Sequence, residues 1–164
     1  METTRHFTAT SYVVHEGECL LHEHDRLDMW LPPGGHVDRD ELPREAALRE
    51  VREETGLDVT LLEPETSVTA DFGKELPPAE HTMLYDIDSF EGEVAHQHID
   101  FVYYAAATNR NLSPSEEEIG VDGWEWFSSE ELLSHNGLSA EVVTLGTEAI
   151  ERVGRRNENT KQRD

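Results

Sequence analysis

From Gly35 to Leu57 the chain reads GHVDRDELPREAALREVREETGL. At a helical step of about 100° per residue, Glu50, Glu53 and Glu54 share one stripe. Ala47, Leu48, Val51 and Thr55 fall on the adjoining stripe. A single helix would therefore offer an apolar face to a core and a carboxylate face to something else. Like charges at i, i+3 and i+4 weaken a bare helix, so the carboxylate stripe calls for cations among its oxygens. The spacing predicts a helix with Asp40 as N-cap, Pro43 in its first turn, and Gly56 closing it after Thr55. Hard carboxylate oxygens suit Mg²⁺ or Mn²⁺, ions that also take phosphate oxygens as ligands. Gly34 and Gly35, just before the helix, allow close approach of the backbone to such ligands. The bland alternative is a solvated acidic helix, and the spacing of Gly35, Arg49 and Gly56 around the glutamates argues against it.

That spacing is Gly-x5-Glu-x7-Arg-Glu-U-x-Glu-Glu-x-Gly-U, with U a bulky aliphatic residue. The chain matches it throughout, at Gly35, Glu41, Arg49, Glu50, Val51, Glu53, Glu54, Gly56 and Leu57. In this the protein resembles the Nudix hydrolases. The resemblance implies an α+β fold, an α/β/α sandwich on a mixed β-sheet. It implies hydrolysis of a phosphoanhydride in a nucleoside diphosphate linked to another moiety: a nucleoside triphosphate, an oxidised nucleotide, ADP-ribose or a nucleotide sugar. Glu53 and Glu54 would be core ligands of Mg²⁺ or Mn²⁺. Glu50 would be a further ligand or the base, and the Gly35 carbonyl an additional ligand. Glu41 and Arg49 would brace loop and helix. A later loop often completes such sites, and Glu116, Glu117 and Glu118 occupy it here, with Glu117 and Glu118 taken as metal candidates. The alternative is a catalytically silent Nudix-like domain that binds a nucleotide or nucleotide sugar. Lost motif carboxylates would mark such a domain, and none is lost.

Outward from the motif, Phe7–His15 and Cys19–His24 read as a hairpin about Glu16-Gly17-Glu18. Met29–Leu31 is a short extended piece stopped by Pro32-Pro33-Gly34-Gly35. Asp58–Ala70 reads as a strand broken at Pro64, Thr82–Asp88 and His98–Thr108 as strands, and Gly123–Phe127 as a strand with two tryptophans. Ser128 should cap a short helix to Leu133. Ser139 should cap a longer one to about Val153, with Ala140, Val143, Ala149 and Val153 on its buried side. Residues 1–154 then form one domain, and residues 155–164 a frayed polar tail.

His98 and Asp100 share one face of a strand, within HQHIDFVYYA. That segment is loosely similar to strands of Nudix proteins near the ADP-ribose and nucleotide-sugar hydrolases, so the pair are candidate substrate contacts, with packing an equal alternative. His22/His24 and His96/His98 are His-x-His pairs. Such a pair can bind zinc, but without a cysteine pair a structural zinc is not expected.

The charge is lopsided: 13 Lys and Arg face 36 Asp and Glu, for a net −23. Such a surface repels nucleic acid and anionic membranes, leaving a small nucleotide as the expected partner. The acid is spread along the chain and only Lys74 and Lys161 are lysines. This points to adaptation to high salt, where carboxylate repulsion is screened, or else to ordinary solubility. Cys19 is the only cysteine, so no internal disulfide can form. With neither a secretory leader nor a membrane span in the sequence, a cytoplasmic setting is expected. Homodimers are frequent in the family, and the oligomeric state stays open.

Overall fold

Two long strands organise the molecule. In the computed structural model, which describes residues 2–24, 28–90 and 92–161, β1 (Thr4–His15) and β7 (Glu93–Ala107) run parallel. They pair from Thr4↔His96 to Val14↔Ala106. On its other side β1 meets β2 (Glu18–His24) through the expected hairpin, and also β4 (Gly34–His36). β2 carries β3 (Met29–Leu31) and β8 (Trp124–Ser128). β7 carries β5 (Val59–Leu61) and β6 (His81–Phe90). The eight strands described form one mixed sheet, antiparallel except at β1–β7.

Helices cover both faces, so alternate residues of the central strands enter different cores. Ala9, Val13, Tyr103 and Ala105 pack with Ala46, Ala47 and Val51 of α1 (Pro43–Thr55). Tyr12, Val14, Val102 and Tyr104 pack with Leu132 of α2 (Ser129–Ser134) and with α3 (Ala140–Lys161). This is the α/β/α sandwich of the expected α+β class. No helix of the described residues is long and apolar enough to cross a membrane.

Several boundaries differ from the sequence reading. The N-cap of α1 is Leu42, not Asp40. A residue before proline is pushed into extended backbone, and Leu42 at φ −82°, ψ 150° cannot begin a helix. Pro43 then takes the first helical position, where its missing N–H costs nothing. The Glu45 carboxylate accepts the Leu42 N–H at 2.9 Å. At the other end Gly56 has φ 72°, the left-handed cap expected of it.

The strand expected over Asp58–Ala70 pairs only at Val59–Leu61. Beyond Glu63-Pro64 the chain is irregular and largely exposed up to β6. Gly34–His36, expected only to stop a strand, is itself β4, paired with Thr8–Thr10. A Cβ on Gly34 would lie 2.6 Å from the Ala9 carbonyl oxygen, so glycine permits that contact.

α3 runs to Lys161 rather than ending near Val153, so residues 155–161 of the expected frayed tail are helical, and 162–164 lie outside the described residues. Its buried side is Val142, Leu145, Ala149 and Val153, a three-four-four spacing, in place of the expected Ala140 and Val143. The short helix is as read: Ser128 Oγ accepts from the Glu131 N–H.

Candidate active site

β4, the loop after it and the C-terminal half of α1 bring the motif residues together at one arginine. Arg49 donates Nε–H to Glu41 Oε1 at 2.8 Å and Nη2–H to Glu41 Oε2 at 2.9 Å, a two-pronged pair. Nη2 also donates to the His36 carbonyl at 3.0 Å. Nη1 donates to Glu50 Oε1 at 2.8 Å and to Glu53 Oε2 at 3.1 Å. The guanidinium thus spends its whole donor fork tying the Gly35–Glu41 loop to the helix. The Arg49 hydrogen bond holds the Glu41 carboxyl below its ordinary range, with burial opposing it. Arg49 itself is raised, chiefly by Glu41. Glu41 and Arg49 therefore stand where a bracing pair should.

Glu54 points the other way, into the loop. Its Oε2 accepts the Gly34 N–H at 2.9 Å. Burial pushes its carboxyl up to about 8, and Glu50, Glu118 and Glu53 push in the same direction, with the Gly34 bond opposing. Glu50 is raised as well, first by burial, with Arg49 opposing and Glu53 and Glu118 adding to it. A Cβ at Gly35 would run into the Glu50 carboxylate, so the Gly35 backbone lies directly against it. Glu41, Glu50 and Glu53 thus share one guanidinium, while Glu54 is bonded to the Gly34 N–H and feels the charges of Glu50, Glu53 and Glu118. Hard carboxylate oxygens outnumber the one arginine here, the kind of donor that suits a divalent cation such as Mg²⁺.

Glu118 arrives by a docked loop. Ser113 N–H donates to the Thr55 carbonyl and Ser115 N–H to the Glu53 carbonyl, each at 2.8 Å. These bonds take up carbonyls at the C-terminal end of α1 and hold the 109–118 loop against it. A Cβ on Gly56 would strike Ser113, a second reason for glycine there. Of the three loop glutamates, Glu118 is the one whose charge raises both Glu50 and Glu54. All three glutamates are exposed, so burial does not separate them. Sequence offered no way to choose, because the choice depends on how the loop docks.

His98 and Asp100 part company. Asp100 is buried, and its Oδ1 accepts from Thr8 Oγ1 at 2.8 Å and Thr10 Oγ1 at 3.0 Å, bonding β7 to β1. Burial raises its carboxyl and the two hydroxyls oppose the rise. His98 opens into a cleft of about 780 Å³ with His6, His36 and His96. Its imidazole is lowered by burial and then by His36, His96 and His6. The sequence reading did not join His6 and His36 to this group, because the β1–β7 register that brings His6 and the β1–β4 pairing that brings His36 are not local signals. His36 connects the two regions, with its carbonyl on Arg49 and its ring 4.9 Å from that of His98.

The NUDIX domain model matches residues 4–145, and the chain belongs to that family. A solved structure described as a hydrolase of the NUDIX family from Clostridium perfringens is 35% identical, with a TM-score of 0.77, covering 92% of this chain and 99% of that one. The mouse asymmetrical bis(5'-nucleosyl)-tetraphosphatase is 51% identical over 43 residues, 26% of this chain. A probable DHNTP pyrophosphohydrolase of Lactococcus lactis subsp. cremoris is 33% identical over 98 residues, 58% of this chain. The matched stretches span 29% of the mouse protein and 51% of the lactococcal one.

Proposed function

We propose that the protein hydrolyses a phosphoanhydride bond in a nucleoside diphosphate linked to another moiety, the class that includes nucleoside triphosphates, oxidised nucleotides, ADP-ribose and nucleotide sugars. The observation that carries this reading is the geometry of the motif: Arg49 ties Glu41, Glu50 and Glu53 together, and Glu54 beside them accepts the Gly34 N–H. Burial and the neighbouring glutamates raise the Glu54 carboxyl, and carboxylates crowded in this way favour a cation among them. Mg²⁺ or Mn²⁺ fits the donors: Glu53, Glu54, Glu50 and Glu118 with the Gly35 carbonyl, all hard oxygens. Bound there, the ion would offset the charge of a diphosphate and acidify a water. Glu41 and Arg49 hold the loop against the helix. Glu50 or Glu118 would accept the proton as water attacks phosphorus. The relatives named a tetraphosphatase and a pyrophosphohydrolase are of the same reaction class. The charge of −23 supports a high-salt working environment, where the screened surface no longer repels an anionic substrate.

The test is a panel of nucleoside triphosphates, oxidised nucleotides, ADP-ribose, dinucleoside polyphosphates and nucleotide sugars, assayed with Mg²⁺ and with EDTA. Turnover of a panel member that needs Mg²⁺ or Mn²⁺ supports the proposal. Tight nucleotide binding by folded protein with no turnover would instead make this a binding domain.

A further inference from the structure

We propose a second, chemically different metal site in the protein: a borderline transition ion of the Zn²⁺ class bound by His6, His96 and His98. The His-x-His pair on β7 supplies two ligands on one face of the sheet. The parallel register puts His6 of β1 directly beside His98, which adds the third. One ring nitrogen from each of the three lies within 4.8 Å of the others. An ion with metal–nitrogen distances of about 2.0–2.1 Å needs its ligand nitrogens roughly 3.4 Å apart. The rings are exposed or half-buried at the cleft mouth, and small side-chain rotations close that gap.

Two features distinguish this cluster from stacked histidines alone. The rings of His6 and His96 meet edge to face at 4.6 Å and those of His96 and His98 at 5.1 Å, while His6 and His98 are stacked at 6.3 Å, so His96 turns across the other two and the three do not form one column. His96 is also oriented as a ligand should be. Thr4 Oγ1 lies 3.3 Å from the Ala95 carbonyl, to which it donates, and 2.8 Å from His96 Nδ1. When the hydroxyl gives its hydrogen to Ala95 it accepts from Nδ1–H, and that tautomer leaves the Nε2 lone pair for a metal. Fixing the second nitrogen of a ligand histidine in this way is the usual outer support of such sites.

Imidazole and carboxylate donors select different ions. Three nitrogens suit Zn²⁺, Co²⁺, Ni²⁺ or Cu²⁺, whereas the oxygens around Arg49 suit Mg²⁺ or Mn²⁺. Three protein ligands leave a fourth position open at the mouth of the cleft. The His36 ring, 5.3 Å from His6 and 4.9 Å from His98, flanks that opening.

The experiment is a Co²⁺ titration of the full chain in excess Mg²⁺, followed by visible absorption. Tetrahedral nitrogen-ligated Co²⁺ absorbs strongly, and octahedral oxygen-ligated Co²⁺ weakly. One equivalent should bind with a strong band and be displaced by Zn²⁺. His6→Ala and His96→Ala should each weaken it by at least about tenfold, while Glu53→Gln leaves the band in place. His6 is exposed, so its variant tests the site even if His96→Ala is poorly folded. The absence of a strong band overturns the inference, as does a band that survives both histidine variants or disappears in Glu53→Gln.

Discussion

Glu54→Gln should make the metal-free protein more stable while abolishing its response to Mg²⁺. The amide keeps the shape and its oxygen can still accept the Gly34 N–H, the bond made at 2.9 Å by Glu54. What it removes is the charge. Glu54 sits at about 8 in the folded protein against an ordinary 4.5. A carboxyl raised on folding makes the native state hold a proton that the unfolded chain has released. Native stability therefore falls as pH rises from about 4.5 to about 8 and is level outside that window. At about 1.4 kcal/mol per pH unit, the ceiling on that loss is about 5 kcal/mol. Glu50, Glu53 and Glu118 share the repulsion and relax when one member is neutral, so we expect Glu54→Gln to recover ~2–3 kcal/mol at pH 8.

In EDTA the variant should then melt about 4–10 °C above the parent at pH 8, with the gap shrinking toward pH 5. Mg²⁺ should raise the parent through native-state binding and the variant much less, closing or reversing the gap. Hydrolysis by the variant should fall on the order of 100-fold or more, in line with loss of a charge-stabilising group. Thermal melts at pH 5, 6.5 and 8, with and without Mg²⁺, carry the test. A variant that is less stable than the parent in EDTA at pH 8 would show that Glu54 is not held against its own ionisation. The assignment would fail equally if Mg²⁺ stabilised both proteins alike.

Arg49→Lys should cost about 2–4 kcal/mol in a denaturant melt, because one ammonium cannot replace a fork bonded to Glu41, Glu50, Glu53 and the His36 carbonyl; a loss under 0.5 kcal/mol would refute the bracing role. Glu118→Gln should weaken Mg²⁺ activation more than Glu117→Gln, and the reverse order would move the loop's contribution to Glu117. The melting temperature should rise between low salt and 2 M KCl, since screening relieves carboxylate repulsion; a flat or falling curve would return the acidic surface to ordinary solubility. Hydrolysis in ¹⁸O-labelled water should put label in a product phosphate, and rapid quenching should trap no phosphoprotein; a trapped phosphoprotein would rule out direct attack by water.

The parts of this fold legible in the sequence are those where a local rule has no competitor. Gly56 could only end α1, and Ser128 with Glu131 could only open α2, because each is a backbone hydrogen-bonding problem solved within four residues. Asp40 shows how such a rule loses to a stronger neighbour: a good capping side chain is overruled when Pro43 forbids helical backbone at Leu42. β4 was illegible for a different reason. Gly34–His36 has no strand character of its own and is a strand only because β1 lies alongside, at a distance that only glycine tolerates.

The same division runs through the candidate site residues. Glu50, Glu53 and Glu54 were readable because a helix fixes their stripe by arithmetic, and Arg49 and Glu41 because the motif spacing carries them. Glu118 could not be separated from Glu116 and Glu117, since the separation depends on Ser113 and Ser115 finding the carbonyls at the end of α1. His98 and Asp100, alike in sequence, differ because Thr8 and Thr10 lie opposite the aspartate and His6 opposite the histidine. That register also sets the chemistry of the two strands' shared face. Where β1 offers hydroxyls, β7's acid becomes a buried tie. Where it offers an imidazole two residues earlier, the same face becomes a cluster of nitrogen donors at the mouth of a cleft. Two His-x-His pairs look equivalent along the chain, and among the described residues it is His96 and His98 that have a third histidine, His6, close enough to share an ion. A shift of one residue between β1 and β7 would turn His6 to the opposite face. The nitrogen-donor site therefore depends on the same pairing that places Thr8 and Thr10 on Asp100.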